Sequence, residues 1–206
     1  MGAPSRHRST ILNAAVNLFR RRGYAATGLN DILQDSQAPK GSLYHYFPDG
    51  KEQLGEEAVH LAGGVVARTL KALRAEHGQA HAVVNAYGQL LAGWLEESGF
   101  RDGCPLATTL LETTPQSTRM SAAGREAFAL WYAEIEQMLV AEGADQDSAR
   151  RLAQLAIAVY EGALLQARVE SSARPVLEST AELAFLIQAR LAACRATAQS
   201  DAQSPR

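Results

Sequence analysis

Proline stands at position 39 and again at position 48, where Asp49 and Gly50 follow it, so whatever forms between them is short. Proline is pre-set for the first position of a helix, and Pro-Asp-Gly is a strong turn signal, so a helix over about Lys40–Tyr46 is predicted. Within it only Leu43 and Phe47, four residues apart, are suited to burial. Lys40, Ser42, Tyr44 and His45 are left facing outward, and all of them carry donors that suit phosphate oxygens and base edges. Gly41 lets a partner approach the backbone closely, and small residues at this end allow such a helix to sit deep in a major groove.

Upstream, Ile11, Ala15 and Leu18, flanked by Leu12 and Phe19, fall at helical spacing between Arg6 and Arg22, and Gly23 supplies a stop. A second short helix is predicted from about Gly28 to Ser36, with Thr27 as its N-cap. Its apolar face, Leu29, Ile32 and Leu33, meets Leu43 and Phe47 across the turn Ser36-Gln37-Ala38, which describes a helix-turn-helix. Helix four starts near Lys51, carries Leu54, Ala58, Leu61, Val65, Leu70 and Leu73, and ends before Gly78. Five further helices follow, over about 80–97, 105–114, 118–142, 147–172 and 176–196, separated by glycine and proline signals such as Gly103-Cys104-Pro105, Pro115, Gly143 and Pro175. Composition agrees: Ala and Leu number 38 and 25 of 206 residues, against 15 for Val and Ile together. The expected fold is therefore all-α, with nine helices in two domains: 1–50 as the helix-turn-helix domain and 51–196 as a larger helical domain. Residues 1–5 and 197–206 are expected to be frayed ends.

The formal net charge of −2 speaks against a polyanionic partner until it is divided. Residues 1–48 hold Arg6, Arg8, Arg20, Arg21, Arg22 and Lys40 against Asp31 and Asp35, a net of +4, and the remainder of the chain is −6. That asymmetry points to a nucleic-acid-binding end. Cys104 and Cys194 lie far apart without CxxC spacing, and no apolar run reaches the length of a membrane span, so a reducing, cytoplasmic setting and no membrane partner are expected. His77-x3-His81 is interrupted by Gly78 and has no nearby thiol, which argues against a metal site. No nucleophile elbow, P-loop, zincin or dinucleotide fingerprint is present, so no catalytic residue and no cofactor is expected.

Thr27, then Leu29-x-Asp31-Ile32, then Ala38-Pro39-Lys40-Gly41-Ser42-Leu43-Tyr44-His45-Tyr46-Phe47 and Lys51-Glu52-x-Leu54, closely resemble the DNA-binding domain of TetR-family repressors. Gly103-Cys104-Pro105-Leu106 and Tyr160-Glu161-Gly162-Ala163-Leu164 are similar to the branch holding lincomycin-resistance and flavonoid-responsive regulators. The resemblance implies that Thr27 and Lys51 hold phosphates and that Tyr44 and His45 contact the DNA backbone beside the groove. Lys40, Gly41, Pro39 and Gln37 would approach base edges, with Ser42 on the same surface. The chain departs from the pattern at Gly28, often Ser or Thr, and at Gln37, commonly Gly; a left-handed backbone at Gln37 would cost on the order of 1 kcal/mol.

Trp94, Phe100, Trp131 and Tyr160 are candidate linings for an apolar or aromatic effector, and Glu161 is a candidate carboxylate ligand. Helices 147–172 and 176–196 are rich in small residues (Ala149, Ala153, Ala156, Ala163, Ala167, Ala181, Ala184), a surface suited to a homodimer, as the resemblance also implies. The sequence thus predicts a ligand-responsive repressor that binds a palindromic double-stranded DNA operator as a homodimer. A small helical enzyme or carrier, in which the first three helices are only a packing module, is the alternative.

Overall fold

The computed structural model describes residues 3–203, and the side chains of 7–196; Arg6 and the outermost residues of both expected ends lie outside the described side chains. Among the described residues the chain forms helices and no strand. They are α1 (Ala3–Arg22), α2 (Leu29–Ser36), α3 (Lys40–Tyr46), α4 (Lys51–His77), α5 (Ala80–Glu97), α6 (Pro105–Thr113), α7 (Thr118–Ala141), α8 (Gln146–Glu170) and α9 (Arg174–Gln203). The glycine stops act as the sequence suggests: Gly23, Gly78 and Gly143 have φ of +84°, +73° and +99°, the left-handed backbone that ends a helix. Helix α9 continues past Ala196, where its end was expected, to Gln203.

The chain gathers into two compact units. The first takes residues up to Val65 together with Asp102–Ala129; the second takes Val66–Arg101 and the chain from Leu130 onward. Helices α4 and α7 each contribute one part to either unit. In the first, Ile11, Ala15, Phe19, Ile32, Leu43, Phe47 and Leu54 are all fully buried and join α1, α2, α3 and the start of α4 in one core. Burying such side chains contributes roughly 1.5–3 kcal/mol each, so the short helices are held by this core. Helix α6 packs on α1 in the same unit.

In the second unit α9 lies between α5 and α8. A Cβ at Gly88 would collide with the side chain of Thr180, so glycine is what lets α5 and α9 approach so closely. The small residues expected to face a second copy are mostly used here instead. Ala149, Ala153, Ala156, Ala163, Ala167 and Ala184 are buried within the chain. Alanine on a helix permits close packing against any neighbour, and the nearest neighbours are this chain's own helices. The outward face of α8 and α9 is different: Leu155, Leu165, Val169, Leu177, Phe185 and Leu186 are exposed.

Candidate nucleic-acid interface

Helix α3 is attached to the core by Leu43 and by Phe47 at its C-cap, both with no exposed surface, with Tyr46 half-buried beside them. Lys40, Gly41, Tyr44 and His45 are exposed and Ser42 is half-buried; Tyr44 keeps 56% of its surface open. A Cβ added to Gly41 would meet nothing within 4 Å, so no contact within the chain requires glycine there. His45 and Tyr46 stack edge to face at 4.7 Å, which steadies the last turn, while Tyr46 packs against the core.

The turn before α3 begins at Gln37, whose backbone is left-handed (φ 52°, ψ 24°) and whose N–H closes α2 by donating to the Gln34 carbonyl. Its side chain is exposed, as is Pro39. A non-glycine residue in this conformation costs about 1 kcal/mol, and no contact within the chain accounts for the choice of glutamine.

Thr27 does not sit where a phosphate contact would need it. It is fully buried, and its hydroxyl donates to the Gly23 carbonyl at 2.8 Å, tying the α1–α2 turn from within. Nor is it the N-cap of α2, which is Gly28, whose N–H donates to the Asp31 carboxylate at 2.8 Å. An apolar run starting at Leu29 places the helix one residue later than expected, and Thr27 turns inward with its methyl group.

Lys51 opens α4 half-buried, its ammonium 4.4 Å from the centre of the Tyr24 ring and donating to the Ala25 carbonyl at 3.3 Å. Burial lowers its proton affinity, and the nearby Glu112 carboxylate opposes that effect. The cation is held at the edge of the surface, with further N–H donors on the same ammonium.

The basic segment is more neutralised than its sequence charge suggests. Arg20 and Arg21 both pair with the buried Asp102, Arg21 through Nε at 2.7 Å. Arg8 pairs with Glu57 and lies 5.3 Å from the Phe47 ring centre. Arg22 is 4.0 Å from Asp31. Lys40 is exposed and stands in no ion pair among the described residues, so it can meet an outside anion.

Three partners in this unit were missed by sequence reasoning. Asp102 caps the arginine run, Glu112 accepts the Ala25 N–H, and Arg119 joins Asp49 at 2.9 Å to Glu56 at 2.6 Å. Arg119 thereby steadies the turn behind α3. The only sequence signal for them is the acidic excess downstream of residue 48, which names no partner.

The five candidate effector residues are not alike. Tyr160 and Trp131 are buried. The Tyr160 ring stands edge-on to Tyr87 at 5.0 Å and its hydroxyl donates to the Val84 carbonyl at 3.3 Å, so it joins α8 to α5 as a core residue. Burial pushes its phenol pKa far above the usual range. Trp94 is exposed, while Phe100 and Glu161 are half-buried. Phe100 has a left-handed backbone (φ 58°) in the loop after α5. A groove of about 680 Å³ lies elsewhere, between α8 and α9, lined by Leu155, Gly162, Gln166, Glu182, Phe185 and Leu186 among others, and by none of the five.

Comparison with known proteins agrees in both halves of the chain. Residues 11–58 match the family described as bacterial regulatory proteins, tetR family, and residues 80–182 match the C-terminal domain of LmrA/YxaF-like transcriptional regulators. An uncharacterized HTH-type transcriptional regulator of Mycobacterium tuberculosis is 36% identical over 82% of this chain and 88% of its own length. The HTH-type transcriptional regulator LmrA of Bacillus subtilis is 31% identical over 82% of this chain and 90% of its own. Among solved structures, a TetR transcriptional regulator from Chloroflexus aurantiacus superposes with a TM-score of 0.76 at 28% identity, covering 91% of this chain and 97% of that one. These matches are to regulators rather than enzymes, which removes the enzyme alternative.

Proposed function

This chain belongs to the TetR family of bacterial transcriptional regulators, and we propose that it acts as a repressor, binding a palindromic operator as a homodimer and leaving it when a small ligand binds. The observation that carries the reading is α3. Leu43 and Phe47 are fully buried, and the exposed residues are a cation, a phenol and an imidazole around an unobstructed glycine. That arrangement does nothing for the core and suits the edge of a duplex. Lys40, Gln37, Pro39 and Gly41 approach bases, while Ser42, Tyr44, His45 and Lys51 contact phosphates; Thr27 supports the turn from inside. With DNA as its target, the protein works in the cytoplasm.

The dimer forms through α8 and α9, on the face that carries Leu155, Leu165, Phe185 and Leu186. A two-fold axis there pairs the same patch from each copy and presents two α3 helices to successive major grooves. Two classes of effector fit the candidate residues, apolar and aromatic, with Trp94, Phe100 and Glu161 the more accessible contacts. Tyr160 and Trp131 would take part only after the core around them loosens. Ligand binding would weaken operator affinity by the 5- to 150-fold that couplings of about 1–3 kcal/mol give.

The test is fluorescence anisotropy with the DNA upstream of the protein's own gene, over a range of salt. Saturable binding that falls steeply with salt is expected, and Lys40→Ala should weaken it and relax its sequence preference. Absence of binding by the wild-type chain, or binding insensitive to salt, would overturn the reading.

A further inference from the structure

Helix α6 sets an exposed carboxylate against the α1–α2 turn. Glu112 accepts the N–H of Ala25 and lies beside Gly23, where any side chain would collide with it. It also acts electrostatically on Lys51, whose ammonium is anchored at the Tyr24 ring and the Ala25 carbonyl. One anion is therefore held by a backbone N–H close to the start of α2 and by the field of a lysine at the start of α4. A backbone N–H with a nearby lysine is the donor set that a phosphate oxygen takes in a protein–DNA complex.

We propose that Glu112 is a built-in competitor for the operator backbone: in the free chain its carboxylate takes the Ala25 N–H, next to the carbonyl that holds Lys51, where a DNA phosphate binds in the complex. This rests on the reading that Lys51 and the α1–α2 turn face DNA. Operator binding must then move the carboxylate aside or bring a phosphate up to it, and either lowers affinity. A device of this kind keeps the resting affinity below what the cations alone would give. Because the carboxylate belongs to α6 and not to the helix-turn-helix itself, the competition depends on where α6 stands against the turn. A purely structural tie between α6 and the turn has the opposite consequence, since losing the charge would then gain nothing.

The experiment uses the full-length protein and a duplex selected from a random pool by the wild-type chain, with anisotropy as the readout. Glu112→Gln keeps an oxygen for the Ala25 N–H and removes the charge. It should tighten binding about three- to tenfold at low salt and steepen the log–log salt slope by up to about one, as the opposing charge beside Lys51 is gone. In a Lys51→Gln background the same substitution should give a much smaller gain, because the competed cation is gone. Glu112→Ala, which removes the acceptor as well, should also bind at least as tightly as the wild type. Unchanged or weaker binding by Glu112→Gln at an unaltered melting temperature overturns the proposal, and so does a gain that persists in full without Lys51. If the wild-type chain selects no duplex, the proposed function fails and this inference with it; if it selects one, failure of the Glu112 variants touches only the inference.

Discussion

Helix α3 and the pair α8–α9 both present surface that the chain's own core leaves uncovered, and the two surfaces are chemically opposite. On α3 the aliphatic Leu43 is inside, and the exposed side chains of Lys40, Tyr44 and His45 all carry a polar group, on a helix of 7 residues. On α8 and α9, helices of 25 and 30 residues, leucine, valine and phenylalanine stay outside although alanine fills the inside. Long helices with an apolar outer face gain by covering it with another apolar face. A short helix with a polar outer face gains nothing from such a cover and is suited to a polyanion. Which residues the core admits thus leaves one surface suited to another apolar face and one suited to a polyanion, as the proposed function requires.

The contrast predicts where substitution should harm the fold and where only an outside contact. Leu43→Ala attacks the attachment of α3 and should cost about 2–5 kcal/mol in chemical denaturation, with loss of the helix-turn-helix. A cost under 1 kcal/mol would mean that α3 stands without its core contacts. Leu165→Glu changes a side chain that is 63% exposed, so the fold should survive while self-association fails. Sedimentation should show a dimer dissociation constant raised about thirtyfold or more, as for loss of a hot-spot contact of about 2 kcal/mol. A variant as dimeric as the wild type would remove this face from the interface. Gln37→Gly relieves a left-handed glutamine and should raise stability by up to about 1 kcal/mol while weakening operator binding. If stability rises and binding is untouched, the glutamine has no role at the DNA.

Much of this was legible from local signals. Gly23, Gly78, Gly143, Pro39 and the Pro48-Asp49-Gly50 turn mark where helices begin and end, because left-handed backbone and a missing N–H are properties of one or two residues. The burial of Leu43 and Phe47 follows from their spacing on one short helix. Partners that meet across the chain were not legible. Asp102 with Arg20 and Arg21, or Glu112 with the Ala25 N–H, depend on how α6 packs on α1, and a carboxylate in the sequence looks the same wherever it ends up. The inner and outer faces of α8 and α9 were also hidden, since both carry small or apolar side chains and periodicity separates apolar from polar more clearly than one apolar face from another. Thr27 went wrong for a related reason: a threonine before a helix reads as a cap, and only the packing shows its hydroxyl turned to Gly23.

If the outer face of α3 is shaped for a partner and not for the fold, Gly41 is where the two demands part. Glycine within a helix is less stable than alanine by roughly 1 kcal/mol, and a Cβ there meets nothing in this chain. Melting temperature and operator affinity should therefore be measured side by side for Gly41→Ala. The predicted result is a variant that melts at or above the wild-type temperature yet binds the operator about tenfold or more weakly, as one added methyl group holds the helix off the groove. A variant that binds as tightly as the wild type, or one that loses stability and binding together, would contradict it.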